Sequence, residues 1–217
     1  MKSDKQLQTD ILDDLRWDPS VDASKIGVVV SNGVITLTGS VPSYFQKQNT
    51  ERIVKRVAGV KAVANDIDVQ LPSTTEKTDS GIAAAALSAL KWATSVPEEN
   101  ITVSVSKGWV TLEGSVEWNY QKEAAEKSVE DLSGVKGVTN RISVSPHIKS
   151  REVKGEIKAA LHRYADLESR NIDDEASDST VTLRGQVRSW AERKEAENAA
   201  WMAPGVTQVK NEIIVSI

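Results

Sequence analysis

The stretch GVKAVANDIDV at residues 59–69 returns as GVKGVTNRISV at 134–144 and as GVTQVKNEIIV at 205–215. A second phrase precedes each copy: GVITLTGSV (33–41), GWVTLEGSV (108–116) and STVTLRGQV (179–187). Both phrases advance by 75 and then 71 residues, as Gly39, Gly114 and Gly185 mark for one and Gly59, Gly134 and Gly205 for the other. One offset shared by two motifs means that a whole unit has been duplicated. The period exceeds the roughly 20–50 residues of solenoid repeats, and a unit of about 70 residues buries a small core of its own. The chain is therefore read as three tandem domains, 1–72, 73–146 and 147–217. PSTTEKTDS (72–80) and SPHIKSRE (145–152) are the polar linkers.

Each unit opens on a helical stripe: Leu7, Ile11 and Leu15, then Ile82, Ala86 and Leu90, then Val153, Ile157 and Leu161. Asp18-Pro19-Ser20 stops the first helix. Two β-branched runs follow, separated by Ser31-Asn32-Gly33 or Ser106-Lys107-Gly108, a hairpin signal. Ser177-Asp178-Ser179 lacks the glycine, and a longer or looser turn is expected there. In the second strand, Ile35, Leu37, Gly39 and Val41 share one face and Thr36, Thr38 and Ser40 the other. A glycine on the buried parity implies a helix backbone crossing close by, or a bulge. A second helix covers about 44–58, with Ser43/Gln46 and Ser189/Glu192 as capping boxes. Gly59, Gly134 and Gly205 are read as the left-handed residue just past its cap. The repeated phrase then alternates as a strand. Asn65, Asn140 and Asn211 stand on its apolar parity, as structural pins whose amides bind backbone nearby.

The order is α-β-β-α-β. Strands 1 and 2 form an antiparallel hairpin, and a right-handed crossover makes strands 2 and 3 parallel. The fold class is α+β: three tandem small sandwich domains, each a three-stranded mixed sheet with two helices on one face.

This ordered set resembles the BON domain. The residues that carry the likeness are the GVITLTGSV-type strand, the Tyr44-to-Ala58 helix, the Gly, Val and Asn of GVKAVANDIDV, and Trp17-Asp18-Pro19-Ser20-Val21 after helix 1. The likeness covers nearly the whole chain in three copies. Repeat 3 departs most, with Asn171-Ile172-Asp173-Asp174-Glu175-Ala176 in place of an apolar first strand. The resemblance implies a small α/β sandwich without known catalysis, an association with osmotic and envelope stress, and, in some members, binding to phospholipid surfaces. A well-known member is periplasmic, with two copies and a signal peptide.

Chemistry is scarce. The absence of cysteine removes thiolate zinc sites, disulfides and thiol catalysis together. The two histidines, His147 and His162, have no counterparts in the other repeats and read as surface residues. Asp173, Asp174, Glu175 and Asp178 lack calcium-loop spacing and read as a solvated acidic loop. Gly134-Val135-Lys136-Gly137 is a GXXG, the backbone clamp of some RNA-binding domains, but repeats 1 and 3 carry Ala62 and Gln208 at its last position. A net charge of −4 draws the chain to no nucleic acid. No catalytic residue, metal site or cofactor is expected. MKSDKQLQTDILDDL has no apolar core, and GIAAAALSAL is far short of the roughly 20 residues of a membrane span. A cytoplasmic protein without a transmembrane segment is expected, with a periplasmic location as the alternative if a signal was removed.

Aromatic and basic residues gather at the start of helix 2: Tyr44, Phe45 and Lys47; Trp118, Tyr120 and Lys122; Arg188, Trp190 and Arg193. Helix N-termini favour anions, and amphipathic rings suit a headgroup layer. These nine residues are the candidate site for an anionic phospholipid surface or a protein partner. The alternative is that the rings cover the end of the core or fill domain-domain contacts. It is the reading taken for Trp17, Trp92 and Trp201, while Trp109 is expected to pack on a neighbouring repeat. The basic second helix of repeat 1 and the acidic one of repeat 2 (Glu123, Glu126, Glu130, Asp131) are expected to attract each other. Two functions follow: a non-enzymatic stress protein that binds phospholipid surfaces or envelope components, or a protein-binding scaffold or chaperone-like adaptor.

Overall fold

Helix α1 (Asp4–Trp17) turns Leu7, Ile11 and Leu15 inward, and α3 (Asp79–Trp92) does the same with Ile82, Ala86 and Leu90. Ser3 and Thr78 cap their first turns by accepting from the amides of Gln6 and Gly81. In this computed structural model, residues 2–74, 76–146, 172–177 and 179–216 are described. The first helix expected in repeat 3, His147 and His162 lie outside them.

Each sheet has its second strand in the middle. In the first, β2 (Val34–Val41) pairs antiparallel with β1 (Ile26–Ser31) and parallel with β3 (Ala62–Val69). Strands β4 (Ile101–Ser106), β5 (Trp109–Val116) and β6 (Gly137–Val144) repeat this, as do β7 (Ile172–Ser177), β8 (Thr180–Val187) and β9 (Gln208–Val215). Helix α1 packs on β1, and the crossover helix α2 (Tyr44–Arg56) packs on β3 and on α1. Both bury the face that carries Ile35, Leu37 and Val41. The corresponding crossover helices are α4 (Asn119–Glu130) and α5 (Trp190–Trp201). Three separate apolar clusters result, one per repeat.

Several local expectations change. Ser177 pairs with Thr180 in the register of Ser31 with Val34, so the third hairpin has the same two-residue connection and is no longer than the others. The acidic segment forms a full strand. Ile172 faces the core, and Glu175 reaches Arg184, which also holds Glu212, at 3.0 and 2.9 Å on the open face. Charge pairing across three strands ties the open face of this sheet together.

The backbone that comes close at Gly39 is not one of the two α-helices. A Cβ there would lie 2.0 Å from the Lys25 carbonyl oxygen, and one at Gly114 would lie 2.0 Å from that of Asn100. The 3₁₀ turn that feeds the first strand presses on the glycine, whose φ of 118° only glycine tolerates well. Gly59, Gly134 and Gly205 also differ from expectation, because they lie beyond the first residue after the helix cap. Each is third in a four-residue turn closed by Val60 on Val57, Val135 on Leu132 or Val206 on Ala203. Their φ values of 105°, 94° and 83° fit the left-handed third position of a type II turn. Pro204 supplies the matching second residue in the last copy.

Candidate functional site

Strand 3 is tied to the crossover helix by an asparagine in every copy. Asn65 Nδ2 donates to the Lys47 carbonyl and to Glu51 Oε2, and its Oδ1 accepts from the Ile67 amide. Asn140 does this with Lys122, Glu126 and Ile142, and Asn211 with Arg193, Glu197 and Ile213. The glutamate arm escaped the sequence reading, although Glu51, Glu126 and Glu197 share the repeat offset. So did Asp4 and Asp79, whose carboxylates accept from the turn amides of Asn32–Gly33 and Lys107–Gly108. Burial raises the Glu51 carboxyl, but hydrogen bonds from Lys55 and Asn65 outweigh it and hold the group below its ordinary value.

The crossover helices meet one another, and their first-turn aromatics point into neighbouring repeats. Tyr44 is 7% exposed and belongs to the apolar cluster of repeat 2. Burial raises its phenol, against the Val138 backbone and the Gln48 amide, and the carboxylates of Glu126 and Glu130 raise it further. Trp190 packs on the cluster of repeat 1. Its Nε1 donates to the Lys61 carbonyl at 3.1 Å, and Lys55 and Arg193 lie over the ring at 5.9 and 5.1 Å. Trp118 and Tyr120 stack with centroids 6.5 Å apart and line a cleft with Trp201 and Met202 of repeat 3. The contacts run in a ring: repeat 1 into 2, 2 toward 3, and 3 into 1. Arg52 reaches Glu130 at 3.5 Å, so the expected attraction between basic and acidic helices operates within the chain. Lys194 reaches Glu123 at 3.0 Å. These last two residues occupy the same repeat position, as does Gln48, which places that position near the centre of the ring.

The nine candidate residues therefore do not form one open basic patch. Tyr44 and Trp190 are interdomain contacts. The Arg193 guanidinium donates to the carbonyls of Ile213 and Asn211. Lys47 and Lys122 offer their carbonyls to the asparagine clasp, Phe45 is half-buried, and exposed Arg188 donates its amide to Glu192. Only the Trp118–Tyr120 pair keeps a large accessible aromatic surface, with Tyr120 57% exposed.

Among the other tryptophans, Trp17, Trp92 and Trp109 depart from expectation and Trp201 does not. Trp17 and Trp92 are 85% and 84% exposed, not packed, whereas Trp201 does join its own core. Trp109 stays within its repeat. It lies across its strand partner Gly137, where a Cβ would come 2.5 Å from the indole, and Nε1 donates to Thr139 at 2.8 Å. This explains the GXXG of repeat 2: its last glycine makes room for a tryptophan that the other copies lack, and no nucleic-acid clamp is needed. Among the described residues no group of three or more His, Asp or Glu side chains is placed to hold a metal ion, and no helix is long and apolar enough to cross a membrane.

A mixed sheet of three strands with a crossover helix, written three times and joined through that helix, defines a tandem α+β repeat protein. The chain belongs to the BON domain family, which matches residues 3–70, 78–146 and 150–216. It is similar to osmotically-inducible protein Y of Escherichia coli (strain K12), with 29% identity over 197 residues, 87% of this chain and 92% of the relative. Among solved structures it is similar to CdsD, a structural protein of the type III secretion system of Chlamydia trachomatis. That match has 13% identity and a TM-score of 0.25 and covers 94% of this chain and 90% of the other. The C-terminal domain of CdsD matches at 13% identity and 0.26, with both chains fully covered.

Proposed function

We propose that the chain is a non-enzymatic protein of the osmotic and envelope stress response that docks on an anionic phospholipid surface or an envelope component. The stress assignment leans on the near full-length similarity to osmotically-inducible protein Y. That setting goes with the periplasmic alternative and not with the cytoplasmic expectation. The observation that carries docking is the exposure of Trp17 and Trp92. They stand at the same repeat position, each the last residue of its helix, following Arg16 and Lys91. A ring of domains carries equivalent positions to one side. Two indoles with adjacent cations suit the interfacial layer of an anionic bilayer.

Flotation with anionic and neutral vesicles tests this reading. Binding to anionic vesicles that weakens with salt and is lost in the Trp17→Ala, Trp92→Ala protein is expected. Absence from both vesicle types in the intact protein overturns lipid docking and leaves the protein-binding scaffold, or chaperone-like adaptor, as the reading.

A further inference from the structure

We infer that the cleft between α4 and α5 receives an aromatic side chain from a partner polypeptide. Tyr44, Asn119 and Trp190 occupy the same position, the first turn of the crossover helix, one repeat offset apart. At two junctions of the ring this position carries an aromatic residue that inserts into the next repeat. At the third it carries Asn119, which is buried and too small to reach across. What remains is an opening of about 650 Å³ lined by Trp118, Asn119, Tyr120, Asn198, Trp201 and Met202. That volume falls in the range of small-molecule sites and is ample for one aromatic ring.

The filled junctions show what the empty one takes. Each holds one ring, carried on a polypeptide backbone, against apolar surface with a polar tip satisfied. The Trp190 indole donates to the Lys61 carbonyl of repeat 1, and the Tyr44 phenol accepts from Gln48 of its own helix. The open cleft repeats that chemistry. Trp118, Tyr120 and Trp201 offer ring faces, and Met202, 61% exposed, offers an adaptable thioether. Asn198 also lines the wall and adds a side-chain amide to it, the oxygen of which is buried without a donor among the described residues. The rim charges Lys194 and Glu123 are paired with each other, so the cleft selects neither an anion nor a cation. An uncharged aromatic ring is the complement. This inference is independent of lipid docking, which concerns Trp17 and Trp92.

The test uses the full chain, free of lipid, with the indole N–H resonances of Trp118 and Trp201 followed by NMR. The probe is the capped tripeptide Ala-Trp-Ala, with capped Ala-Leu-Ala as control. Saturable shifts of both indoles with the tryptophan peptide, and none with the leucine peptide, are expected. Tyr120→Ala removes an exposed ring without touching the core and should weaken binding about tenfold. Asn119→Tyr supplies the missing ring in cis and should abolish binding. Should that variant fail to fold, Tyr120→Ala decides alone. No saturable shift, equal binding of the leucine peptide, or unchanged affinity in Tyr120→Ala overturns the inference. So does stronger displacement by monomeric dodecylphosphocholine, which would assign the cleft to an acyl chain. Concentration-dependent dimerisation that shifts the same indoles without peptide would assign it to a second copy and likewise overturn it.

Discussion

Replacing Trp190 by alanine should release repeat 3 from repeat 1. The half-buried indole removes on the order of 100 Å² of apolar surface from water, which at ~25 cal/mol/Å² is about 2.5 kcal/mol. The hydrogen bond from Nε1 to the Lys61 carbonyl adds roughly 1 kcal/mol net. Lys55 of repeat 1 over the ring adds about 0.5 kcal/mol at a half-exposed site, while the Arg193 contact lies within repeat 3 and does not hold the junction. The junction thus loses on the order of 4 kcal/mol, an upper estimate because a detached repeat would keep some of this surface covered. The Lys194–Glu123 pair that remains is solvent-accessible and is worth at most about 1 kcal/mol. Small-angle scattering reads the outcome directly. A closed ring of this length should have a radius of gyration near ~17 Å, and the variant should expand by several ångströms while its circular dichroism stays unchanged. Calorimetry should show repeat 3 melting apart from repeats 1 and 2. An unchanged radius with a single unshifted melting transition would refute the assignment of Trp190 as the tie between repeats.

Three further outcomes test the repeat itself. Gly114→Ala drives a Cβ to 2.0 Å from the Asn100 carbonyl oxygen at a φ of 140°, and should cost repeat 2 more than about 3 kcal/mol by denaturant titration. Asn140→Ala leaves the Lys122 carbonyl, Glu126 and the Ile142 amide without their partner, and should lower stability by about 1–3 kcal/mol. Leu in place of Asn140 should not restore it. Glu51 and Glu130 should act on pH dependence with opposite signs. Hydrogen bonds hold Glu51 low, so its contribution is present above its unfolded value and is lost as pH falls through the lower folded one. Glu130 is raised, first by burial and then by Glu126, with Arg52 opposing. Its folded form therefore favours the proton, and its contribution is lost as pH rises through the folded value. Denaturation curves of Glu51→Gln and Glu130→Gln between about pH 3 and 7 should change slope in opposite directions, for Glu51 below its ordinary value and for Glu130 above it, and a common direction would refute this.

The elements were legible because each rests on a local rule copied three times. Alternation in VITLTGSV, the i, i+4 stripe of Leu7, Ile11 and Leu15, and the Asn–Gly turn each specify one geometry. The role of Gly39 was not legible, because the atom that forbids a side chain is the Lys25 carbonyl, brought there by strand pairing and not by sequence proximity. The exposure of Trp17 follows from its place on the helix. It lies two residues past Leu15, about 200° around the helix and so off the apolar stripe, and Trp92 stands in the same relation to Leu90. The fates of Tyr44, Trp118 and Trp190 were not available. Similar rings begin similar helices, and only the arrangement of three domains decides which of them meets another repeat and which meets water.

That arrangement locates the difference between the copies. Sheet register, asparagine clasp and glycine turns are the same in all three, so none of them distinguishes one repeat from another. The first turn of the crossover helix does. Tyrosine there seals repeat 1 to repeat 2, tryptophan seals repeat 3 to repeat 1, and asparagine leaves the last junction open with its aromatic walls exposed. A third ring would bury more apolar surface and close the ring on itself. Its absence at one junction, where the flanking positions carry Trp118 and Tyr120 instead, sets stability aside at a place where an outside group can enter. If Asn119→Tyr folds, it should melt higher than the parent chain. A lower melting temperature in that folded variant would mean that the opening is a packing mismatch between repeats 2 and 3, not a vacancy shaped for a ring.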